Sequence, residues 1–468
     1  MRKELDSLGE KEVPDDALYG VQTVRAVENF PVTGRTAFPE LIDSYIILKK
    51  ACAEANMELD KLDPKKGEYI LEACEKLYRS SYDEFKVDVF QAGAGTSFNM
   101  NVNEVIANKA LELAGKEKGE YDHIHPNDHV NMSQSSNDTY PTASHLAIID
   151  ISQDLVEDLK GLKKDFQDKG KEFSDIAKSG RTHLMDATPV TLGDELLGYA
   201  RTIERSFKNL ETSLKGLYEL PIGGTATGTG VNTPEGFRDK VVKKLSSEYG
   251  FEFVSAENSF EMLQSRMPMG NFMGALKNLA LELIRIANDL RLLSSGPKTG
   301  LSEIKLPAVQ PGSSIMPGKV NPVMAECLNM ISFQIVGNST TVDMAVQAGQ
   351  IELNVMTPVI TYNIMESVWM LNNFLPIFRG RCVQGISANR SKCKEHFESS
   401  VSLATLLSPK IGYMKAAELA KESNEKDIPV PKLAVKKGIV TEQEAEELFS
   451  TKNAAKSKYD TSRGEERL

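Results

Sequence analysis

Three long stretches of the chain carry apolar residues at intervals of three and four, the repeat of one helix face. Ile148, Ile151, Leu155, Leu159, Leu162, Phe166 and Phe173 form the first series, and Leu196, Ala200, Ile203, Phe207, Leu210, Leu214 and Leu217 the second. The third, Phe272, Leu276, Leu279, Leu283, Ile286, Leu290 and Leu293, alternates steps of four and three without a break, which is the seam of a long helix bundle. Met324, Leu328, Ile331 and Ile335 open a further helix, and 358–378 reads as one more. Several of these segments are longer and more apolar than the single interface of one chain needs. Burial against other copies, in a symmetric homo-oligomer, is therefore expected.

The flanks read differently. Residues 1–140 are mixed, broken by Pro14, Pro31, Pro39, Pro64 and Pro126, with helices predicted from 39 into the fifties, over 65–82 and over 102–113. From Asn389 the chain turns polar and lysine-rich. Thr441-Glu442-Gln443-Glu444 reads as a capping box opening a short helix, and the charged tail beyond it reads as solvated or disordered. The expected architecture is mainly α in three domains: an N-terminal, mostly helical domain over 1–140, a central long-helix bundle over 141–388, and a small C-terminal helical domain over 389–468.

Composition narrows the function. With 468 residues, 41% hydrophobic and 26% charged, the chain has the length for a large core and the balance of a soluble globular protein. A net charge of −11 argues against nucleic acid and acidic membranes as partners. It leaves a small acidic substrate open, because a few local cations override a distant field. The start, Met1-Arg2-Lys3-Glu4-Leu5-Asp6, has no apolar run, so neither signal peptide nor anchor is expected. Five cysteines, Cys52, Cys74, Cys327, Cys382 and Cys393, odd in number and without a CxxC pair, read as free thiols in a reducing compartment. The cytoplasm is the expected location.

The candidate chemistry lies in loops between the helical stretches. Gly312-Ser313-Ser314-Ile315-Met316-Pro317-Gly318-Lys319-Val320-Asn321-Pro322 joins two hydroxyls, a lysine and an asparagine to glycines and prolines. Pro322 suits the first position of a helix, which would place Lys319 and Asn321 at its positive end, where anions bind. This is no nucleotide P-loop: five residues separate Gly312 from Gly318 where that motif has four, and Val320 stands where it needs Ser or Thr. Three other segments share the composition. Gly95-Thr96-Ser97 precedes one helix, Ser135-Ser136-Asn137 precedes the helix starting near Thr142, and Gly180-Arg181-Thr182-His183 sits in the turn before another. Each alone reads as an ordinary N-cap. Four together, without a metal or nucleotide motif, present many neutral donors to negative charge, which suits a small polycarboxylate.

Other stretches carry less. His123, His125 and His129 surround a Pro126-Asn127-Asp128 turn with no cysteine nearby and read as a polar loop, so no metal and no cofactor is implied. Residues 223–232 contain a GxG, but Thr233 replaces the final glycine and a helical segment precedes it where a strand is needed, so a tight structural turn is expected. Trp369 and the methionines read as core.

Taken in order, these segments resemble the aspartase/fumarase superfamily, whose members eliminate a group from a succinyl compound to release fumarate. The Gly312 to Pro322 stretch resembles its signature loop, and the likeness runs over most of the chain. Tyr19 to Phe30, Gly93 to Ser97, Ser294 to Leu301 and Leu353-Asn354-Val355-Met356 are similar to aspartate ammonia-lyases. His125-Pro126-Asn127-Asp128, Ser135-Ser136-Asn137 and Gly223-Gly224-Thr225 are similar to class II fumarases, and Ser136 replaces the threonine usual in aspartases. The resemblance implies elimination of ammonia from L-aspartate, with hydration of fumarate as the alternative and an inactive helical scaffold or dicarboxylate-binding protein as a further one. It also implies roles. Ser313 is the base that removes the proton beside one carboxylate; Thr96, Ser135, Ser136 and Ser314 hold that carboxylate as an enediolate; Lys319 and Asn321 hold the other. Asn137, Thr182 and His183 contact the amino group or the second carboxylate, and Glu326 orients His183. A homotetramer with each site shared between three subunits completes the picture.

Overall fold

The computed structural model describes residues 1–455; the charged tail expected beyond them lies outside the described residues. The periodic stretches form helices Ser136–Glu172, Leu192–Leu214, Met267–Leu293, Val323–Val346 and Thr357–Phe378. The seam residues behave as their spacing requires: Phe272, Leu276, Leu279, Leu283, Ile286 and Leu290 are all buried. The fold is a mainly α helical bundle, and the strands among the described residues form only two-stranded sheets.

Several boundaries differ from the sequence reading. The first long helix starts at Ser136, six residues ahead of Thr142, with Pro141 inside it. Ser136 and Asn137 therefore belong to its first turn. Thr96–Leu113 likewise begins six residues before Val102. Pro64–Leu77 stops short of Tyr82 because Tyr78 is extended and Arg79 takes a positive φ of 51°. Trp369 is not core: it is 47% exposed, on an outward position of Thr357–Phe378, with its ring 6.3 Å from that of Phe38. Met330, Phe333 and Met344 on Val323–Val346 are also exposed, whereas Met262, Met269, Met273 and Met365 are buried.

The described residues group into two compact units. The first comprises 1–156, 209–278 and 334–371. Its core includes an aromatic cluster in which the Phe98 ring lies 5.3 Å from Tyr45, 6.4 Å from Phe85 and 6.3 Å from Tyr140. Near it, the buried Glu104 carboxylate accepts the backbone N–H groups of Gly20, Gln22 and Thr23, and Glu4 accepts that of Val21. Two carboxylates thus satisfy the otherwise orphaned donors that open helix Val21–Asn29. Burial pushes the Glu104 carboxyl up to about 7 against these stabilising bonds.

The second unit comprises 157–208, 279–333 and the chain from 372 onward. Strands Ala177–Thr182 and Met185–Thr191 form an antiparallel hairpin. Helices Tyr413–Lys426, Val430–Lys436 and Glu442–Leu448 pack Leu403, Leu407, Leu419, Val430, Leu433 and Phe449 into one cluster. The Thr441/Glu444 capping box forms as the sequence requires.

Candidate active site

In the first unit two helix N-termini bring their hydroxyls together. Thr96 opens Thr96–Leu113 and Ser136 opens Ser136–Glu172, and Thr96 Oγ1 lies 2.9 Å from Ser136 Oγ. Both stand at the positive ends of helix dipoles, where an anion is favoured. Ser135 acts as an N-cap: its Oγ accepts the Asn137 N–H at 3.3 Å. Thr96 opens onto a cavity of about 490 Å³ whose lining includes Gln22, Arg25, Ser97, His125 and Asn127.

The approach to Thr96 is a strained turn. Ala94 and Gly95 both have positive φ, 59° and 76°, and the Ala94 N–H is held by the Val355 carbonyl at 2.9 Å. Val355 is fixed in turn by Asn354, a buried residue whose Nδ2 donates to the carbonyls of Ala345 and Val346. A Cβ on Gly95 would lie 1.9 Å from the Tyr140 ring. Gly95→Ala is accordingly expected to cost about 1–3 kcal/mol through overpacking and backbone strain and to lower turnover with it, as denaturant titration and rate measurements on the same preparation would show.

Beneath these hydroxyls lie two buried charges that the sequence reading did not single out. Asp138 accepts the backbone N–H groups of Ser135, Gly223 and Thr225, and burial raises its carboxyl to about 6. Lys49 donates to the amide oxygens of Asn99, Asn131 and Gln134 at 2.8, 2.9 and 2.9 Å, and burial lowers it to about 7. Lys49 stands in an apolar helix with no pattern to mark it, and Asp138 follows Ser135-Ser136-Asn137 directly with nothing to set it apart from an ordinary capping residue. The glycine-rich loop is preceded by a two-residue strand, Glu219–Leu220, parallel to Val254–Ser255, where only a helical segment was expected. The Gly223 and Thr225 N–H groups are committed to Asp138, which leaves them unable to cradle a phosphate.

In the second unit Gly180-Arg181-Thr182-His183, expected in a turn before a helix, forms the end of a strand and the tip of a hairpin, and helix Leu192–Leu214 follows only after the second strand. His183 and Leu184 are its two turn residues, with φ of 56° and 61°, the type I′ pattern that matches strand twist. Neither is glycine or asparagine, so the tip holds strain of the kind found at functional sites. Thr182 and His183 are exposed. The strand behind them is anchored by Glu303, whose carboxylate takes both Arg181 guanidinium nitrogens at 2.9 and 3.1 Å, Lys178 Nζ at 3.0 Å and His396 Nδ1 at 2.8 Å.

The signature loop also lies in this unit. Its stem is closed by two bonds of 2.7 Å: Gly312 N–H to the Lys319 carbonyl, and Asn321 Nδ2 to the Gly312 carbonyl. Ser313 Oγ accepts the N–H groups of Met316 at 2.9 Å and Ile315 at 3.2 Å. Ser314 and Lys319 are exposed, and among the described residues Lys319 has no ion-pair partner. Pro322 precedes the helix as its cap, its carbonyl accepting the Glu326 N–H, so Val323 takes the first helical position in its place. Among the described residues the chain makes no hydrogen bond or ion pair between Glu326 and His183.

His125 Nδ1 accepts the backbone N–H groups of Asn127 and Asp128, and His129 Nε2 lies 3.0 Å from Lys66 Nζ. Among the described residues no group of three or more His, Cys, Asp or Glu is arranged to hold a metal ion, and no helix is long and apolar enough to cross a membrane.

A family described as Lyase matches residues 9–337, and one described as Fumarase C C-terminus matches 403–454. The aspartate ammonia-lyase of Bacillus sp is 46% identical over 451 residues, 96% of each chain. The class II fumarate hydratase of Thermosynechococcus vestitus is 45% identical over 95% of each. Among solved structures, the fumarate lyase:delta crystallin of Brucella melitensis bound to cobalt matches with a TM-score of 0.95 at 44% identity, covering 97% of this chain and 100% of that one.

Proposed function

This chain belongs to the aspartase/fumarase superfamily of lyases, and on that premise we propose that it eliminates ammonia from L-aspartate to give fumarate. The observation that carries the choice of substrate is the placement of Leu353-Asn354-Val355-Met356, the stretch similar to aspartate ammonia-lyases. Through Val355 it holds the turn that presents Thr96, so the aspartase-like sequence shapes a donor of the site itself. The aspartate ammonia-lyase relative, alike over nearly its full length, supports the same reading.

In the proposed reaction Ser313 removes a proton from the carbon beside one carboxylate. A serine hydroxyl does this only as an alkoxide, and two backbone N–H groups already aimed at Ser313 Oγ favour the charged form. The resulting enediolate is held by Thr96, Ser135, Ser136 and Ser314, donors that help most where charge develops. Lys319 and Asn321 hold the other carboxylate, with one hydrogen of the Asn321 amide kept for the loop stem. Asn137, Thr182 and His183 receive the departing amine. Pairing of His183 with Glu326 is assigned to contact between copies of the chain, in a homotetramer whose sites draw on three subunits. The exposed Met330, Phe333 and Met344 support such self-association. A cytoplasmic location fits a metabolite as substrate and the free, largely buried cysteines.

A fumarase reading has its own support: Ser136 pairs with Thr96, and His125 and Asn127 line the cavity onto which Thr96 opens. One assay separates the two. Purified protein supplied with L-aspartate and, separately, L-malate is followed by the ultraviolet absorbance of fumarate. Fumarate is expected from aspartate. Fumarate from malate alone overturns the proposal, and none from either substrate favours a binding or scaffold protein.

A further inference from the structure

The glycine-rich stretch that reads as a mere turn is tied to the donor segment by two separate contacts. Asp138 is fully buried. Its Oδ1 accepts the Ser135 N–H at 3.0 Å, and its Oδ2 accepts the N–H groups of Gly223 at 3.0 Å and Thr225 at 2.8 Å. One carboxylate thereby fixes the first turn of Ser136–Glu172 against the loop. Between these anchors, Asn137 Nδ2 donates to the Ala226 carbonyl at 2.8 Å.

That last bond settles the direction of an amide. A carbonyl oxygen only accepts, so the amide nitrogen must face Ala226 and the amide oxygen must face away. Among the described residues Asn137 Oδ1 has no hydrogen-bond partner. The chain thus presents one outward acceptor among hydroxyl donors, Thr96, Ser135 and Ser136, that suit a carboxylate.

We propose that Asp138 and the Ala226 carbonyl act together as a positioning device that holds the Asn137 amide oxygen outward, as the acceptor for a leaving group that brings hydrogen to it. The proposal rests on the reading above that Ser135, Ser136 and Asn137 face the substrate. An ammonium group carries three N–H donors and no lone pair, so it is recognised by acceptors alone. A freely turning amide would offer its NH₂ as readily as its oxygen. The lock removes the unfavourable orientation, and the discrimination it gives is between a substrate whose leaving group donates hydrogen and a ligand that has none. Neither Asp138 nor Ala226 needs to touch the substrate.

Asp138→Asn tests this. The neutral side chain has one acceptor face, so its NH₂ must oppose either the Ser135 N–H or those of Gly223 and Thr225, and the loop loses one anchor. Succinate, which has both carboxylates and no leaving group, is the control ligand. For Asp138→Asn the KM for L-aspartate is expected to rise about tenfold, the loss of one hydrogen bond to a charged group, while the inhibition constant of succinate moves less than about twofold. A purely structural role would shift both together. Gly223→Ala disturbs the same loop while leaving the Asp138 side chain itself unaltered, since φ there is +91° and a Cβ would lie 2.7 Å from Arg238 Cβ. The same split is expected from it, and it decides the question if Asp138→Asn does not fold. Parallel changes in both constants, or none in either, in a folded variant overturn the proposal. Turnover of malate and not aspartate by the unaltered protein would overturn the aspartase reading instead, and the split between L-malate and succinate would then judge Asp138.

Discussion

Ser313→Ala is expected to lower turnover by about a hundredfold to ten-thousandfold, the range for loss of a positioned base, while assembly and succinate binding persist. Ser313 has two separable jobs in the structure. Its Oγ anchors the loop by accepting the Ile315 and Met316 N–H groups, and those same bonds would stabilise it as an alkoxide. Alanine removes both, so alanine alone leaves the cause open. Ser313→Asn separates them: an asparagine oxygen can accept the same N–H groups in a local turn, but an amide is no base. The asparagine variant is expected to be as inactive as the alanine variant. Recovery of turnover in Ser313→Asn would make Ser313 a turn residue and send the search for the base elsewhere, as would near wild-type turnover of Ser313→Ala. Steady-state rates of fumarate formation, with succinate inhibition as the measure of an intact site, read both outcomes.

What the sequence made legible was whatever repeats or clusters. The unbroken four-three seam from Phe272 to Leu293 could be read because every member is buried and a buried stripe leaves a periodic trace. The donor segments could be read because hydroxyls, amides and glycines are adjacent in the chain. Partners distant in sequence left no such trace. The acceptor for the Ala94 N–H lies at Val355, and the acid that binds Arg181 is Glu303, separations over which local pattern says nothing. The turn at His183 is legible but its hairpin form is not: both turn residues have positive φ without glycine or asparagine, so the usual hairpin signal is absent. Residue type alone places Trp369 in the core, whereas its helix turns that position outward.

Glu303 carries the second large expectation. It is fully buried and binds Lys178, itself only 1% exposed, together with Arg181 and His396. Burial alone would raise its carboxyl, but the Arg181 hydrogen bonds, the Lys178 charge and the His396 contact together hold it below the usual carboxylate range. Glu303→Ala leaves Lys178 and Arg181 facing the same buried space, with Glu195 the one ion-pair partner left to Lys178 among the described residues. Removing one partner of a buried ion cluster costs about 3–5 kcal/mol, and that loss is expected in denaturant unfolding at neutral pH. Because Glu303 is depressed in the folded state, its stabilisation is present above the unfolded carboxyl value of about 4.3 and is lost as pH falls through the lower folded value. The gap between wild type and Glu303→Ala should therefore narrow on acidification and be widest near neutrality. The cluster also anchors the strand that ends in Thr182 and His183, so a softened hairpin should lower turnover more than loss of folded protein explains. Equal stability of the two proteins at neutral pH would mean that water satisfies Lys178 and Arg181 once the carboxylate is gone, and that the hairpin tip is held by its own ladder alone.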